Sequence, residues 1–198
     1  MFNKKKVKTK FIIISGFAGS GKTTIGKELS RVLGYMYVDK DTLTTRYTDY
    51  ILIEKGSNSG DRESDLYVNQ IREIGYKTTF DLCMENLELG NDVILSIPFI
   101  QEIKDYQKFE RLVDMKKIQN SDIDLKIVWI KHNIDLEHIR IEKRGEERDK
   151  YKLEHWEEYS KKNKDIKIDD KYNICELAND DLDDFNIKIE KILEWILN

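Results

Sequence analysis

The strongest chemical signal in this chain is a run of glycines that ends in a lysine and a threonine. The segment Gly16–Thr23 reads G-x-x-x-x-G-K-T, follows the apolar run Phe11–Ile14 and precedes a helix-like stretch, Ile25–Leu33. Glycines let successive backbone N–H groups turn inward, and the start of a helix adds free N–H groups and a positive dipole end. The pattern is that of a P-loop and predicts binding of the phosphates of a nucleoside triphosphate.

Each polar side chain of this loop has a separate expected role. Lys22 is expected to reach the β- and γ-phosphates, and Thr23 to place its hydroxyl on Mg²⁺. The predicted nucleotide-binding residues of the loop are Gly16, Ala18, Gly19, Ser20, Gly21, Lys22, Thr23 and Thr24.

Two carboxylates follow the second predicted strand. Asp39 and Asp41 come directly after Tyr35–Val38, and the carboxyl ends of parallel strands are where ligands bind in open α/β sheets. One of these carboxylates can orient Mg²⁺, and the other can take a proton from an attacking hydroxyl. An alternative role for Asp41 is to cap a helix that begins at Thr42.

A group of arginines follows the fourth predicted strand. Arg140, Arg144 and Arg148 are spaced four residues apart, which predicts one shared helix face. Arginines on a mobile flap can neutralise the charge that spreads over a phosphoryl group during its transfer, and Gly145 would let the flap bend. The alternative is a solvated helix face that is paired with Glu142, Glu146 and Glu147.

The other strand ends lack the acid that holds Mg²⁺ in many motor ATPases and GTPases. The third predicted strand continues as Ser96-Ile97-Pro98-Phe99, the fourth ends in Ile130-Lys131, and no Asn-Lys-x-Asp tetrad is present. These absences argue against a GTPase switch or a mechanical ATPase and favour transfer of phosphate to a small acceptor.

Size and composition fit one domain. The chain has 198 residues, 36% of them charged and 39% hydrophobic, with a formal net charge of −4. This acidic balance argues against a surface that coats nucleic acid. Cys83 and Cys175 are far apart in sequence and form no CxxC pair, so two buried thiols are expected. The apolar run after the basic segment 1–10 is too short for a signal peptide or a membrane span, which predicts a soluble cytoplasmic protein.

Short apolar runs alternate with longer helix-like stretches, which predicts an α/β fold with a parallel sheet covered on both faces. The segment Glu54–Gly60 is expected to be a loop, either a cover over the substrate or a plain surface loop. The predicted strands are Phe11–Ser15, Tyr35–Val38, Asp92–Ile97, Lys126–Ile130 and Tyr172–Leu177, and the predicted helices are Lys22–Leu33, Glu63–Leu89, Gln101–Asn120, Leu136–Arg144, Lys150–Asn163 and Leu182–Leu197.

With these residues in place, the chain resembles the P-loop kinases of small molecules, the nucleoside-monophosphate-kinase-like group. That group includes shikimate and gluconate kinases, chloramphenicol phosphotransferase, zeta toxins and the 5′-kinase domain of polynucleotide kinase. The resemblance covers Gly16–Thr24, the D-x-D pair Asp39-Lys40-Asp41, and the arginines of Arg140-x-x-x-Arg144. It implies a three-layer sandwich with strand order 2-3-1-4-5, in a single domain over residues 1–198 with a lid at about 138–152.

The resemblance also implies roles. Asp39 would assist Mg²⁺, Asp41 would be the base, Lys22 and Arg144 would stabilise the transferring phosphoryl group, and Arg140 and Arg148 would contact the nucleotide. The expected activity is transfer of the γ-phosphate of ATP to a hydroxyl of a small molecule, such as an antibiotic or a sugar-like compound, by a monomer or homodimer.

Three alternatives stay open: a nucleotide or nucleic-acid 5′-hydroxyl kinase, a zeta-toxin-like nucleotide-sugar kinase, and a regulatory ATPase without an acceptor. The region from 42 to 80 matches none of the group's substrate signatures. Within it, Arg46 or Arg62 could bind an anionic acceptor, and Tyr47 and Tyr67, together with Phe99, could form aromatic walls.

Overall fold

A computed structural model describes residues 8–131, 133–163, 166–180 and 185–198. Its centre is a five-stranded parallel sheet in the order β2-β3-β1-β4-β5. The strands are β1 (Thr9–Gly16), β2 (Met36–Asp39), β3 (Val93–Ser96), β4 (Ile123–Lys131) and β5 (Ile174–Ala178). All five predicted strands and the predicted strand order are confirmed, with differences of a few residues at the ends.

Helices cover both faces of the sheet because the middle of the central strand, Phe11–Ile14, is apolar at every position and its side chains alternate between faces. Ile12 and Ile14 pack on α1 and α9, whereas Phe11 and Ile13 pack on α3, and all four are fully buried. The helices are α1 (Lys22–Leu33), α2 (Lys40–Glu54), α3 (Arg72–Glu88), α4 (Tyr106–Leu112), α5 (Met115–Gln119), α6 (Ile134–Arg144), α7 (Lys150–Glu154), α8 (Trp156–Asn163) and α9 (Phe185–Leu197).

The predicted helix Gln101–Asn120 is wrong in its extent. The segment forms α4 and α5, and between them Val113 is extended. Asp105 caps α4 by accepting from the Gln107 N–H, and Asp114 caps α5 by accepting from the Lys117 N–H. An N-cap carboxylate competes with helix continuation, so each aspartate starts a new helix.

The remaining helix predictions hold in position, with one internal break and with changes at their ends. The predicted helix Lys150–Asn163 is divided at His155 into α7 and α8. A short π-helix, Tyr67–Ile71, precedes α3. Residues 182–184 of the predicted last helix lie outside the described residues. Cys83 and Cys175 are buried free thiols, as predicted.

Among the described residues, no helix combines the length and the hydropathy that a membrane crossing requires.

Candidate functional site

The P-loop joins the end of β1 to the start of α1, as predicted. Gly21 caps α1 with a left-handed backbone, φ +95°, and a Cβ at this position would lie 2.6 Å from the Asn179 amide nitrogen. Only glycine combines this φ with this close approach. The loop therefore presents the free N–H groups at the start of α1 toward an open cleft.

Side chains that follow β4 and β5 at the same carboxyl edge of the sheet bind the carbonyls of this loop. Asn179, directly after β5, donates its side-chain N–H to the Ser20 carbonyl at 2.7 Å. Arg140 on α6 donates to the Gly19 carbonyl at 3.3 Å and to the Asn179 carbonyl at 2.9 Å. With these carbonyls bound on the outside, the N–H groups of the loop are left to face the cleft. Arg140 thus supports the loop and also lines the cleft, and its predicted contact with nucleotide stays a prediction.

Lys22 lies in the middle of the site. Its ammonium donates to the Phe17 carbonyl at 2.5 Å. Burial lowers the pKa of Lys22 to about 8, although the negative charges of Asp41 and Glu137 oppose that shift. A partly desolvated ammonium interacts strongly with an incoming anion, because little water shields it.

Asp39, the last residue of β2, connects the P-loop to α2. Its Oδ2 accepts from the Thr23 hydroxyl at 3.1 Å and from the Tyr37 hydroxyl at 3.0 Å. Its Oδ1 accepts from the Thr42 N–H at 2.9 Å, so Asp39, and not Asp41, caps α2. The alternative cap role of Asp41 was wrong because α2 begins two residues earlier than the sequence indicated.

The pair of Thr23 and Asp39 suits Mg²⁺ in donor chemistry. A hydroxyl oxygen and a carboxylate oxygen lie 3.1 Å apart at the foot of the P-loop. Mg²⁺ prefers hard oxygen ligands and is usually held by one or two side chains plus phosphate oxygens and water. Consistent with such a sparse site, no cluster of three His, Cys, Asp or Glu side chains occurs within the described part of the chain.

Asp41 stands in the first turn of α2 beside two cations. Its Oδ1 is 3.3 Å from the Lys40 ammonium, and its Oδ2 is 2.6 Å from the Arg148 guanidinium. Burial by itself would raise the pKa of Asp41, but Lys40, Arg148 and Lys22 outweigh it and hold the pKa at about 2. Asp41 is therefore a firmly ionised carboxylate that faces the same cleft as Lys22.

The prediction of one arginine face is wrong for Arg148. Helix α6 ends at Arg144, where Gly145 turns left-handed, and Arg148 lies in the 3₁₀ turn Glu147–Asp149. Arg144 is ion-paired with Asp149, which is fully buried. Because the chain reverses at Gly145, Arg148 points back at Asp41 instead of continuing the helix face.

The whole cleft measures about 1430 Å³. Its part beyond Asp41, where an acceptor is expected, is walled by α2, the segment 59–76 and the loop after β3. Arg46, Arg62 and Tyr67 line it, as does Ser96. Phe99 does not, because its ring stacks with Phe80 in the core, so its predicted role as a pocket wall was wrong.

Several site residues escaped the sequence reasoning. Lys40, between the two acids, is buried and also lies 3.2 Å from the Tyr67 hydroxyl. Glu137 on α6 is fully buried and accepts from the Tyr159 hydroxyl at 2.6 Å. The position of Lys40 between two aspartates was the local signal available for this residue. The contact between Glu137 and Tyr159 joins residues 22 positions apart and had no local signature.

The fold and the loop together define a P-loop nucleotide-binding protein. The profile of the family described as the AAA domain matches residues 11–164. The chain belongs to this family. The predicted resemblance to P-loop kinases of small molecules is likewise confirmed.

Among curated proteins, the shikimate kinase of Synechococcus elongatus is 44% identical over 50 residues, which is 25% of this chain and 26% of that enzyme. The aligned region thus spans about a quarter of this relative's length.

Solved structures agree over almost the whole chain. A candidate kinase from Chloroflexus aurantiacus superposes with a TM-score of 0.64 at 15% identity, covering 96% of this chain and 97% of that one. A sugar kinase from Janibacter sp. superposes with a TM-score of 0.63 at 14% identity, covering 95% and 94%. At these identities the likeness supports the fold.

Proposed function

We propose that this protein is a kinase that uses ATP and Mg²⁺ to phosphorylate a hydroxyl of a small molecule, such as an antibiotic or a sugar-like compound. The observation that carries the proposal is that Asp41 and Lys22 face one cleft, which extends past the P-loop along α2 and the segment 59–76. A protein that only binds nucleotide needs neither a carboxylate next to the γ-phosphate nor room for a second molecule beside that carboxylate.

In the proposed reaction the acceptor oxygen attacks the γ-phosphorus of ATP. The new O–P bond forms as the bond to the β,γ-bridging oxygen breaks, the hydroxyl proton passes to Asp41, and ADP leaves. A carboxylate with a pKa of about 2 is a weak base, so the main task of Asp41 is to orient the hydroxyl, as suits a loose transition state.

The rest of the machinery follows from the contacts. Lys22 and the N–H groups of the P-loop bind the phosphates, and Thr23 and Asp39 would hold Mg²⁺. When bound, Mg²⁺ neutralises charge on the phosphate oxygens. The segment 138–152 is proposed as a lid that brings Arg148, and Arg144 still paired with the buried Asp149, against phosphate oxygens. A Cβ at Gly60 would lie 2.7 Å from the Glu147 backbone, so this lid rests directly on the loop after α2.

The test is the Asp41→Asn variant, compared with wild type on a panel of sugars, nucleosides and antibiotics by ADP release. We expect turnover with the best acceptor to fall about 10²- to 10⁴-fold, while the affinity for a fluorescent ATP analogue stays within about threefold. The matched control is Asp81→Asn on α3, which removes an exposed carboxylate outside the cleft.

Unchanged turnover in Asp41→Asn would remove Asp41 from the mechanism. Slow ATP hydrolysis that no acceptor accelerates would instead favour the regulatory ATPase. A preference for nucleotides or 5′-hydroxyl oligonucleotides would favour the nucleotide or nucleic-acid kinase, and nucleotide sugars the zeta-toxin-like reaction. The predicted cytoplasmic location stays a prediction.

A further inference from the structure

The acceptor half of the cleft contains arginines whose charges are already satisfied within the protein. This matters for the class of molecule that can bind there, on the premise that the protein is the kinase proposed above. Arg62 is ion-paired to Asp49 at 2.5 Å and donates to the Ser59 carbonyl at 2.7 Å. Its guanidinium also lies 5.3 Å from the centre of the Tyr67 ring, and its side chain is only 10% exposed.

A second arginine of this wall is held still more completely. Arg72 donates to both carboxylate oxygens of Glu102, at 2.8 and 2.9 Å, and to the Tyr76 hydroxyl at 3.2 Å. Glu102 is buried, so it has no water to replace a lost partner. Withdrawing Arg72 from it would leave an uncompensated charge in the protein interior, which is strongly unfavourable.

The cations nearest the reacting end are compensated in the same way. Lys40 and Arg148 share Asp41, and Arg148 also binds Glu146 at 2.5 Å. Lys152 lies 3.6 Å from Asp149. Each of these positive charges therefore already has a carboxylate opposite it.

Arg46 is the exception among the described cations of this wall, because no ion pair joins it to a described residue. Its side chain is exposed on α2, at the rim of the cleft. Water and salt screen a charge in that position, which makes it a weak anchor for an anion.

An acceptor with a carboxylate or phosphate group would meet two difficulties in this pocket. It would have to displace Asp49 or Glu102 from its arginine, and it would lie beside the carboxylates of Asp41 and Asp49. Neither cost applies to hydroxyl groups, which can bind the remaining N–H groups and carboxylate lone pairs without breaking an ion pair.

We propose that the acceptor is an uncharged polyhydroxylated molecule, a neutral sugar, nucleoside or glycoside, and that the ion pairs Asp49–Arg62 and Glu102–Arg72 exclude hydroxy acids and phosphorylated compounds. The pocket recognises such an acceptor by hydrogen bonds to charges that are already paired, and not by a net positive field.

The experiment compares matched acceptors that differ in one charged group. ADP release is measured with neutral sugars and nucleosides, with the corresponding sugar acids and nucleoside monophosphates, and with the corresponding amino sugars. We expect the best neutral compound to exceed its acidic counterparts at least tenfold in kcat/KM. A charged compound that is preferred overturns this inference and leaves the kinase proposal intact. Turnover of no compound overturns the kinase proposal, and the inference with it.

The Asp49→Asn variant tests the physical cause. It removes the carboxylate that satisfies Arg62, so the preference for neutral over acidic acceptors should fall at least tenfold, mainly through a lower KM for the acid. Asp65→Asn removes an exposed carboxylate in the segment 59–76, the segment of Arg62. This side chain does not line the cleft, so the variant should leave the preference unchanged. An unaltered preference in a folded Asp49→Asn variant contradicts the proposed role of this ion pair.

Discussion

The donor half and the acceptor half of the cleft are built by different means. In the donor half, the groups proposed to bind the phosphates are backbone N–H groups and Lys22, and the side chains of Asn179 and Arg140, which also line the cleft, donate to the loop carbonyls. In the acceptor half the partly buried arginines lie in ion pairs, Arg62 with Asp49 and Arg72 with Glu102.

The difference bears on what each half can bind and on how each tolerates change. Backbone donors at a helix start form a permanent anion site whose geometry depends little on any one side chain. Paired side chains form a neutral polar surface, and each member depends on its partner. The protein thus combines a site for a highly charged donor with a pocket in which charge is compensated.

Replacement of Lys22 by Met should have the largest effect and separate the two halves. With the Lys22 ammonium gone from the P-loop, we expect ATP affinity to fall about 10²-fold or more and turnover about 10³-fold, measured by nucleotide titration and ADP release. Lys27→Met, on an exposed position of α1, is the matched control. Normal ATP binding by the Lys22 variant would mean that the backbone alone holds the phosphates.

Loss of one partner in the acceptor half should appear in stability. Glu102→Ala leaves Arg72 without its carboxylate, and since the Arg72 side chain is about a quarter exposed, the free energy of unfolding should fall by about 2–3 kcal/mol. Urea denaturation measures this change. The double variant Glu102→Leu with Arg72→Met should recover most of the loss, because an apolar pair can replace an ion pair. A double variant no more stable than Glu102→Ala would contradict the pairing argument.

The smallest expected effect is a pH dependence confined to the donor half. The pKa of Lys22 is lowered to about 8 by burial, so its charge is lost as pH rises above that value. Bound phosphate should restore the charge, and ATP affinity should therefore weaken about tenfold per pH unit above pH 8. Nucleotide titrations from pH 7 to 9.5 test this. The Lys22→Arg variant stays charged over this range and should bind ATP with little pH dependence. If the ATP affinity of the wild type does not change with pH, the pKa of Lys22 is not near 8.

Prediction from the sequence succeeded where one pattern extends over many consecutive residues. Five apolar runs separated by helical stretches led to five parallel strands, and G-x-x-x-x-G-K-T led to a loop with Gly21 in a left-handed conformation. It failed where a short-range cap decided, as at Asp105 and Asp114, and where the chain reversed, as at Gly145, which removed Arg148 from the helix face of Arg144.

By itself, the sequence determined the phosphate site and the fold that presents it, because a P-loop depends on consecutive residues and strand burial depends on consecutive apolar side chains. The tertiary structure alone decided the partners of the charged residues. Arg72 and Glu102 are 30 positions apart, and Arg140 and Gly19 are 121 apart. Whether an arginine binds a substrate or a neighbouring carboxylate depends on such long-range distances, and no spacing along the chain encodes them.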